Sequence, residues 1–319
     1  MPDIPAPEAD PRAMLVALGI TAGPDVFTLH PLTGGWSGCH LWRVDRTGKP
    51  SLVLRAFPGS SSTGPRREAA IHALVRAAGI PAPEVVATGD VPGGAAMVLA
   101  MMPGISLTQA LIEAPDTDAA WALGATSGEL LARIHAIPAA SLATAGICAG
   151  GPFDPGPWHT WQTASPEVLR VLQPWLSDTS GYGLLHLDFH PENLLVDPGT
   201  GAITAVLDWT NARLGPPQAD LARTRSIVRL IKMIPDLPAG HGIVDAFAEG
   251  LTRAHAHLAG EPGPSMQAAC DAWALDAQIA DLAPKRGTPG FWVTEPMLAT
   301  FREARDEAVA EADRIRQER

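Results

Sequence analysis

The chain has 319 residues, 34 Asp and Glu against 23 Lys and Arg, a net charge of −11 and only three cysteines. An acidic balance of this size argues against a nucleic-acid partner, and Cys39, Cys148 and Cys270 are odd in number and far apart, which fits neither a disulfide framework nor a zinc ribbon. The length accommodates two lobes at about 100–200 residues each, and the acidic, proline-rich first ten residues lack a signal-peptide pattern, so a cytoplasmic protein is expected.

The first hundred residues read mostly as strands. Residues 26–29 lead into Gly34-Gly35-Trp36-Ser37-Gly38, and 40–44 alternate as a second strand would. Glycines at such a turn permit close backbone approach to phosphate, with Gly35, Ser37 and Gly38 presenting N–H groups, although a plain hairpin turn uses the same residue types. Residues 51–57 form the next strand and carry Arg55. Thr63-Gly64-Pro65 then opens a helix over 66–75 that carries Glu68. A Glu in a first helical turn is also a simple helix-dipole residue.

Residues 91–112 carry no charge, but Pro92, Gly93, Gly94, Pro103 and Gly104 divide them, so a strand and hinge over 95–104 are expected rather than a membrane span. The boundary between an N-terminal lobe, 1–103, and a C-terminal lobe, 104–319, belongs at this hinge. Beyond it the chain is predominantly helical, with helices expected over 119–137, 217–232, 241–259, 264–281 and 294–316. Residues 150–175 read as a loop rich in Pro and Trp, either walling a ligand site with aromatic faces or simply packed down by Trp158 and Trp161. Asp271, Trp273, Asp276 and Asp281 are candidate acceptor-pocket groups.

The segment His186-Leu187-Asp188-Phe189-His190-Pro191-Glu192-Asn193, followed by Leu207-Asp208-Trp209, carries the chemistry. Phosphoryl transfer needs a carboxylate beside the acceptor hydroxyl, an amide oxygen five residues later for a hard cation, and a second carboxylate for that cation; Asp188, Asn193 and Asp208 supply them in that order. Between them, 194–197, Pro198-Gly199-Thr200-Gly201 and 202–207 read as strand, turn and strand. A rival reading takes His186, Asp188 and His190 as a metal cluster, since alternate residues of an extended strand share a face and imidazole suits zinc. Chance turns and caps are the bland reading.

These residues, with Asp220-Leu221-Ala222, Arg67-Glu68-Ala69-Ala70, Gly79-Ile80-Pro81-Ala82-Pro83 and Leu131-Ala132-Arg133-Ile134-His135, resemble the aminoglycoside phosphotransferase family, relatives of choline kinases and more distantly of protein kinases. The resemblance covers roughly 25–225. It implies an α+β, bilobal protein-kinase-like fold, with a small, mostly antiparallel β lobe holding one helix and a larger, mainly helical lobe. It also implies an ATP- and Mg²⁺-dependent small-molecule kinase with Asp188 as catalytic base and Asn193 and Asp208 as metal ligands. Gly35, Ser37, Gly38, Arg55 and Glu68 would serve the phosphates, and the hinge around Ala100 and Met102 the adenine.

One position departs from the pattern. Arg55 stands where kinases carry the phosphate-holding lysine, and the exchange is not conservative. Either Arg55 takes over that role, or Lys49 reaches in, or the chain is a nucleotide-binding regulator with impaired catalysis. His186, His190, His135 and Asp220 are expected to be supporting groups, Asp220 as an N-terminal helix cap. The resemblance implies a small hydroxyl acceptor, and the acidic charge is compatible with a cationic one.

Overall fold

The computed structural model describes residues 10–20, 28–32, 39–162, 164–234, 237–261, 263–288 and 292–318. The chain forms two compact units, residues 2–103 with 204–210 and residues 104–203 with 211–319.

In the first unit, α1 (Pro11–Ala17) is a helix that the sequence reading omits; Asp10 caps it by accepting the Arg12 N–H, and Pro11 sits at its first turn, where no N–H is needed. Strands β1 (Thr28–Leu32), β2 (His40–Arg46) and β3 (Lys49–Pro58) are followed by α2 (Thr63–Ala77), β4 (Val85–Val91) and β5 (Gly94–Ala100). The sheet order is β1-β2-β3-β5-β4, and every neighbouring pair is antiparallel. Two-residue turns join β2 to β3 and β4 to β5, with Gly48 at φ 68° and Gly93 at φ 83° taking backbone angles closed to most side chains. Val44, Leu52, Leu54, Ala96 and Val98 sit at alternate positions on one face of their strands and bury Leu15 of α1 among them. Among its described residues the unit holds two helices, α1 and α2, not the one expected. The start of α2 is pinned to β4, because Asp90 accepts hydrogen bonds from the Ser62 N–H and hydroxyl, each at 2.9 Å.

The second unit begins with β6 (Ile105–Ser106), α3 (Leu107–Ile112), α4 (Thr117–His135) and α5 (Ala139–Thr144). Within the stretch expected to be a loop lies α6 (Pro166–Leu172), whose Val168, Val171 and Leu172 are fully buried. Short strands β7 (Gly183–Leu185), β8 (Leu194–Val196), β9 (Ile203–Val206) and β10 (Arg213–Gly215) follow, then α7 (Pro217–Ile231), α8 (His241–Ala259), α9 (Pro264–Leu282) and α10 (Glu295–Gln317). The last four helices fall within a residue of the ranges read from periodicity. The turn between β8 and β9 is closed by Asp197 and Ala202, with Gly201 at φ 70°. An α+β chain results, with a five-stranded antiparallel sheet in one unit and a mainly helical other.

Helices α4 and α8 meet backbone to backbone. A Cβ on Gly124 would lie 2.1 Å from the Phe247 carbonyl oxygen, one on Gly128 2.2 Å from that of Leu251, and one on Gly250 2.2 Å from that of Trp121. Small residues at these positions bring the two axes close enough for side chains further along the helices to bond across the pair. Among the described residues, no helix is long and apolar enough to cross a membrane.

Candidate active site

In the larger unit, the His186–Asn193 segment leaves β7 through an unusual backbone angle. Leu187 has φ 62°, in the left-handed region that costs an L-residue roughly 1–2 kcal/mol. Asp220 holds it there. Its carboxylate, fully buried on the first turn of α7, accepts the His186 N–H at 2.6 Å, the Leu187 N–H at 2.8 Å and the His135 Nε2 hydrogen at 3.0 Å. The N–H groups that it serves are thus those of the segment, not those of its own helix as a cap would. Burial pushes the Asp220 carboxyl up, but the hydrogen bond and charge of His135 and the nearby His186 outweigh it and hold it below its usual range. His255 of α8 completes the chain, its Nε2 lying 2.9 Å from His135 Nδ1.

The bent backbone also decides the fate of the metal-cluster reading. That reading needs an extended strand, whereas Leu187 breaks the alternation. His186 is fully buried, its Nδ1 accepts the Asp188 N–H at 3.2 Å, and its ring packs on Phe189. Among the described residues, no group of three or more His, Cys, Asp or Glu is placed to hold a metal.

Asp188 is the group on which this segment converges. Asn193 donates from Nδ2 to the Asp188 backbone oxygen at 2.9 Å and approaches its carboxylate at 3.3 Å, and His190 Nε2 lies 3.7 Å from that carboxylate. Burial raises the Asp188 pKa, but the close approach of His190 and the charges of His190, Arg223 and His186 prevail and hold it at about 2. The carboxylate is ionised at neutral pH and a quarter exposed.

In the smaller unit Arg55 is the centre of a second cluster. It is 5% exposed on β3, and its Nη1 donates to Glu68 Oε1 at 2.8 Å, its Nη2 to Asp208 Oδ1 at 3.0 Å and to the Thr210 hydroxyl at 3.2 Å, and its Nε to the Cys39 sulfur at 3.4 Å. Thr210 in turn donates to Glu68 Oε2 at 3.0 Å, and Arg67 of α2 donates to the Thr210 carbonyl. Burial alone would lower the Arg55 pKa, yet Glu68 and Asp208 more than compensate and raise it. Glu68 is held below its ordinary range against its own burial, chiefly by Arg55. Asp208 has φ 55°, so the turn that carries it is as constrained as the one before Asp188. Lys49 stands exposed at the β2–β3 turn, six residues from Arg55 along an extended strand, and takes no part.

Other candidates fall elsewhere. Gly35, Ser37 and Gly38 lie outside the described residues. The Ala100 N–H donates to the Glu84 oxygen and the Met101 N–H to the Ser51 oxygen. Trp158 is core, donating to the Tyr182 hydroxyl, and Trp273 is fully buried against it, so neither is an open aromatic wall. Asp271 pairs with Arg225, and Asp276 with Arg305 and the Ser165 N–H. The sequence reading missed Arg223, buried on α7 three residues after Asp220, and His255. For Arg223 the signal was present as a cation on the apolar face of an amphipathic helix.

Comparison with known proteins agrees with this arrangement. The model of the phosphotransferase enzyme family matches residues 28–257. The chain therefore belongs to that family of phosphotransferase enzymes. Its fold is that of a provisionally assigned aminoglycoside phosphotransferase of Ralstonia eutropha, with a TM-score of 0.63 at 16% identity over 96% of this chain and 98% of that one. An ethanolamine kinase of Plasmodium vivax gives 0.57 at 12% identity over 89% and 82% of the two chains. A Streptomyces rimosus aminoglycoside phosphotransferase in complex with ADP and streptomycin gives 0.52 at 14% over 78% and 91%. A mouse protein, acyl-CoA dehydrogenase family member 10, is 26% identical over 189 residues, 54% of this chain, which spans only 18% of that relative's length.

Proposed function

We propose that the chain transfers the γ-phosphoryl group of ATP to a hydroxyl of a small molecule in a Mg²⁺-dependent reaction. The observation that carries this reading is Asp188: an ionised, partly exposed carboxylate fixed by Asn193 and His190 on a backbone that Asp220 locks in place. Such a group orients the acceptor hydroxyl and takes its proton as the new O–P bond forms and the β–γ P–O bond breaks. A loose transition state asks for positioning more than for a strong base, so a pKa of about 2 is no handicap.

Asn193 and Asp208 are the proposed metal ligands, and their donors suit the ion. Asn193 uses its amide nitrogen on Asp188, which leaves a neutral oxygen, and Arg55 and Thr210 engage only Oδ1 of Asp208. Hard oxygen donors of this kind are what Mg²⁺ prefers, and the bound ion would neutralise phosphate charge. Arg55, oriented by Glu68, is proposed to hold the nucleotide phosphates, together with the Gly35, Ser37 and Gly38 turn. With the Ala100 and Met101 N–H groups engaged, Met102 is the proposed donor to adenine and Ala100 its neighbouring contact. The regulator reading finds no support in membership of an enzyme family. Three cysteines without disulfides support a reducing, cytoplasmic setting.

Asp188→Asn should lower kcat at least about a thousandfold in an ADP-release assay while calorimetry shows MgATP affinity within twofold. Full turnover in that variant would overturn the assignment. Asp208→Ala should instead weaken MgATP binding.

A further inference from the structure

We propose that Arg223 is a specificity-determining residue that receives the carboxylate or phosphate of an anionic hydroxyl acceptor, so that the substrate is a small hydroxylated acid or phosphate ester, not a polycation. The inference rests on the phosphotransferase reading and concerns only the larger unit.

Arg223 follows Asp220 by three residues on α7, so the two side chains share a helix face. It is 3% exposed. Buried arginines normally sit in a cage of acceptors, because each desolvated N–H left without one is costly. Here the cage is incomplete. Nη1 donates to Gln278 Oε1 and reaches the Ser226 hydroxyl at 3.4 Å. Among the described residues, the buried Nε has no acceptor. Nη2 has only a 3.9 Å approach to Asp281, and Asp281 is itself held at 3.0 Å by Lys285. Among the described residues, no carboxylate is dedicated to this cation.

Electrostatics agree with the geometry. Burial lowers the Arg223 pKa, and the charges of Asp188, Asp281 and Asp220, in that order of size, do not make up the loss. An anion arriving at Arg223 would supply what the protein leaves out. The chemistry of the group favours a two-oxygen partner. The guanidinium lies 5.0 Å from the centre of the Trp161 ring, whose own N–H is fixed to Asn211 at 3.1 Å, so one face is covered while the buried Nε stays without an acceptor among the described residues. Carboxylate and phosphate match a guanidinium with two parallel hydrogen bonds, whereas a second cation meets like charge. Arg223 shares a helix face with Asp220, whose carboxylate holds the His186 and Leu187 N–H groups just before Asp188, so the anion and the reacting hydroxyl belong on one small molecule.

The test uses matched acceptors with the intact chain, ATP and Mg²⁺, following ADP release and identifying products by mass spectrometry. The arms are hydroxycarboxylates against their amides, glycerol 3-phosphate and ribose 5-phosphate against glycerol and ribose, and kanamycin and choline as cations. In the carboxylate or the phosphate arm, the anion should exceed its neutral partner at least tenfold in kcat/KM, and the arm that responds tells the two anions apart. Arg223→Met should bring that ratio near one through KM, and Arg223→Lys should retain part of it, with melting temperature and MgATP affinity reported for both. Preference for neutral or cationic acceptors, or a ratio unchanged in Arg223→Met, overturns the inference and leaves the phosphotransferase reading intact. Turnover of no acceptor despite normal MgATP binding overturns both.

Discussion

Arg55 and Arg223 are both almost fully buried, yet they are opposite kinds of arginine. Arg55 in the smaller unit has an acceptor for each of its three nitrogens and two carboxylates beside it, so its charge is stabilised beyond that of a free side chain. Arg223 in the larger unit has partners for one nitrogen, and its charge is disfavoured. The difference separates a cation that would meet its ligand already paired, as Arg55 would meet the nucleotide phosphates, from one whose charge the protein leaves open. What matters is whether the protein has already answered the charge, not how deeply the charge is buried.

The sharpest way to break this comparison is to delete each arginine in turn. Arg55→Met strands Glu68, which is 2% exposed, and should cost about 3–5 kcal/mol in denaturant unfolding, the usual penalty for breaking one side of a buried pair. The sign with pH follows from Glu68, whose folded pKa lies below its ordinary value. The stabilisation is present above about pH 4.5 and lost as pH falls through the lower folded value, so wild type and Arg55→Met should converge in acid.

The His135–His255 contact gives the next effect. Burial, followed by the charge of His135, lowers the His255 pKa from 6.5 to about 4. The unfolded chain therefore takes up that proton first, and stability present above pH 6.5 drains away down to about pH 4, by at most ~3 kcal/mol for a shift of this size. His255→Asn should flatten that part of a stability-against-pH curve; an unchanged slope would show that another group titrates.

Arg223→Met should lose only about 1–2 kcal/mol, because it removes hydrogen bonds to Gln278 and Ser226 but strands no dedicated carboxylate. A loss as large as that of Arg55→Met would erase the distinction. Arg314, paired with Glu311 and Glu318 on the open surface of α10, provides the baseline, and Arg314→Ala should leave the melting temperature unchanged within error.

Much of this was legible in the residues because it rests on local rules. The long helices announced themselves by apolar spacing, and the Asp188, Asn193 and Asp208 order by the chemistry of phosphoryl transfer. What escaped was non-local. Nothing within residues 166–172 says that Val168 and Leu172 will be covered by α9, so α6 read as loop. Asp220 looked like a cap because its acceptors' partners, His186 and Leu187, lie more than thirty residues away in sequence. His255 sat in a helical pattern with no sign that bare glycines on α4 would draw it to His135. Charge compensation is the hardest property to read in advance, since whether an arginine is satisfied depends on side chains contributed by several elements.

The glycine contact between α4 and α8 has a consequence for anyone wishing to redesign the acceptor range of this enzyme. Gly124, Gly128 and Gly250 admit no side chain, so mutagenesis libraries that sample these positions will return mostly inactive clones. Diversity introduced around Arg223, Gln278 and Asp281 leaves that contact untouched. The two helices are a fixed keel on which the pocket can be rebuilt.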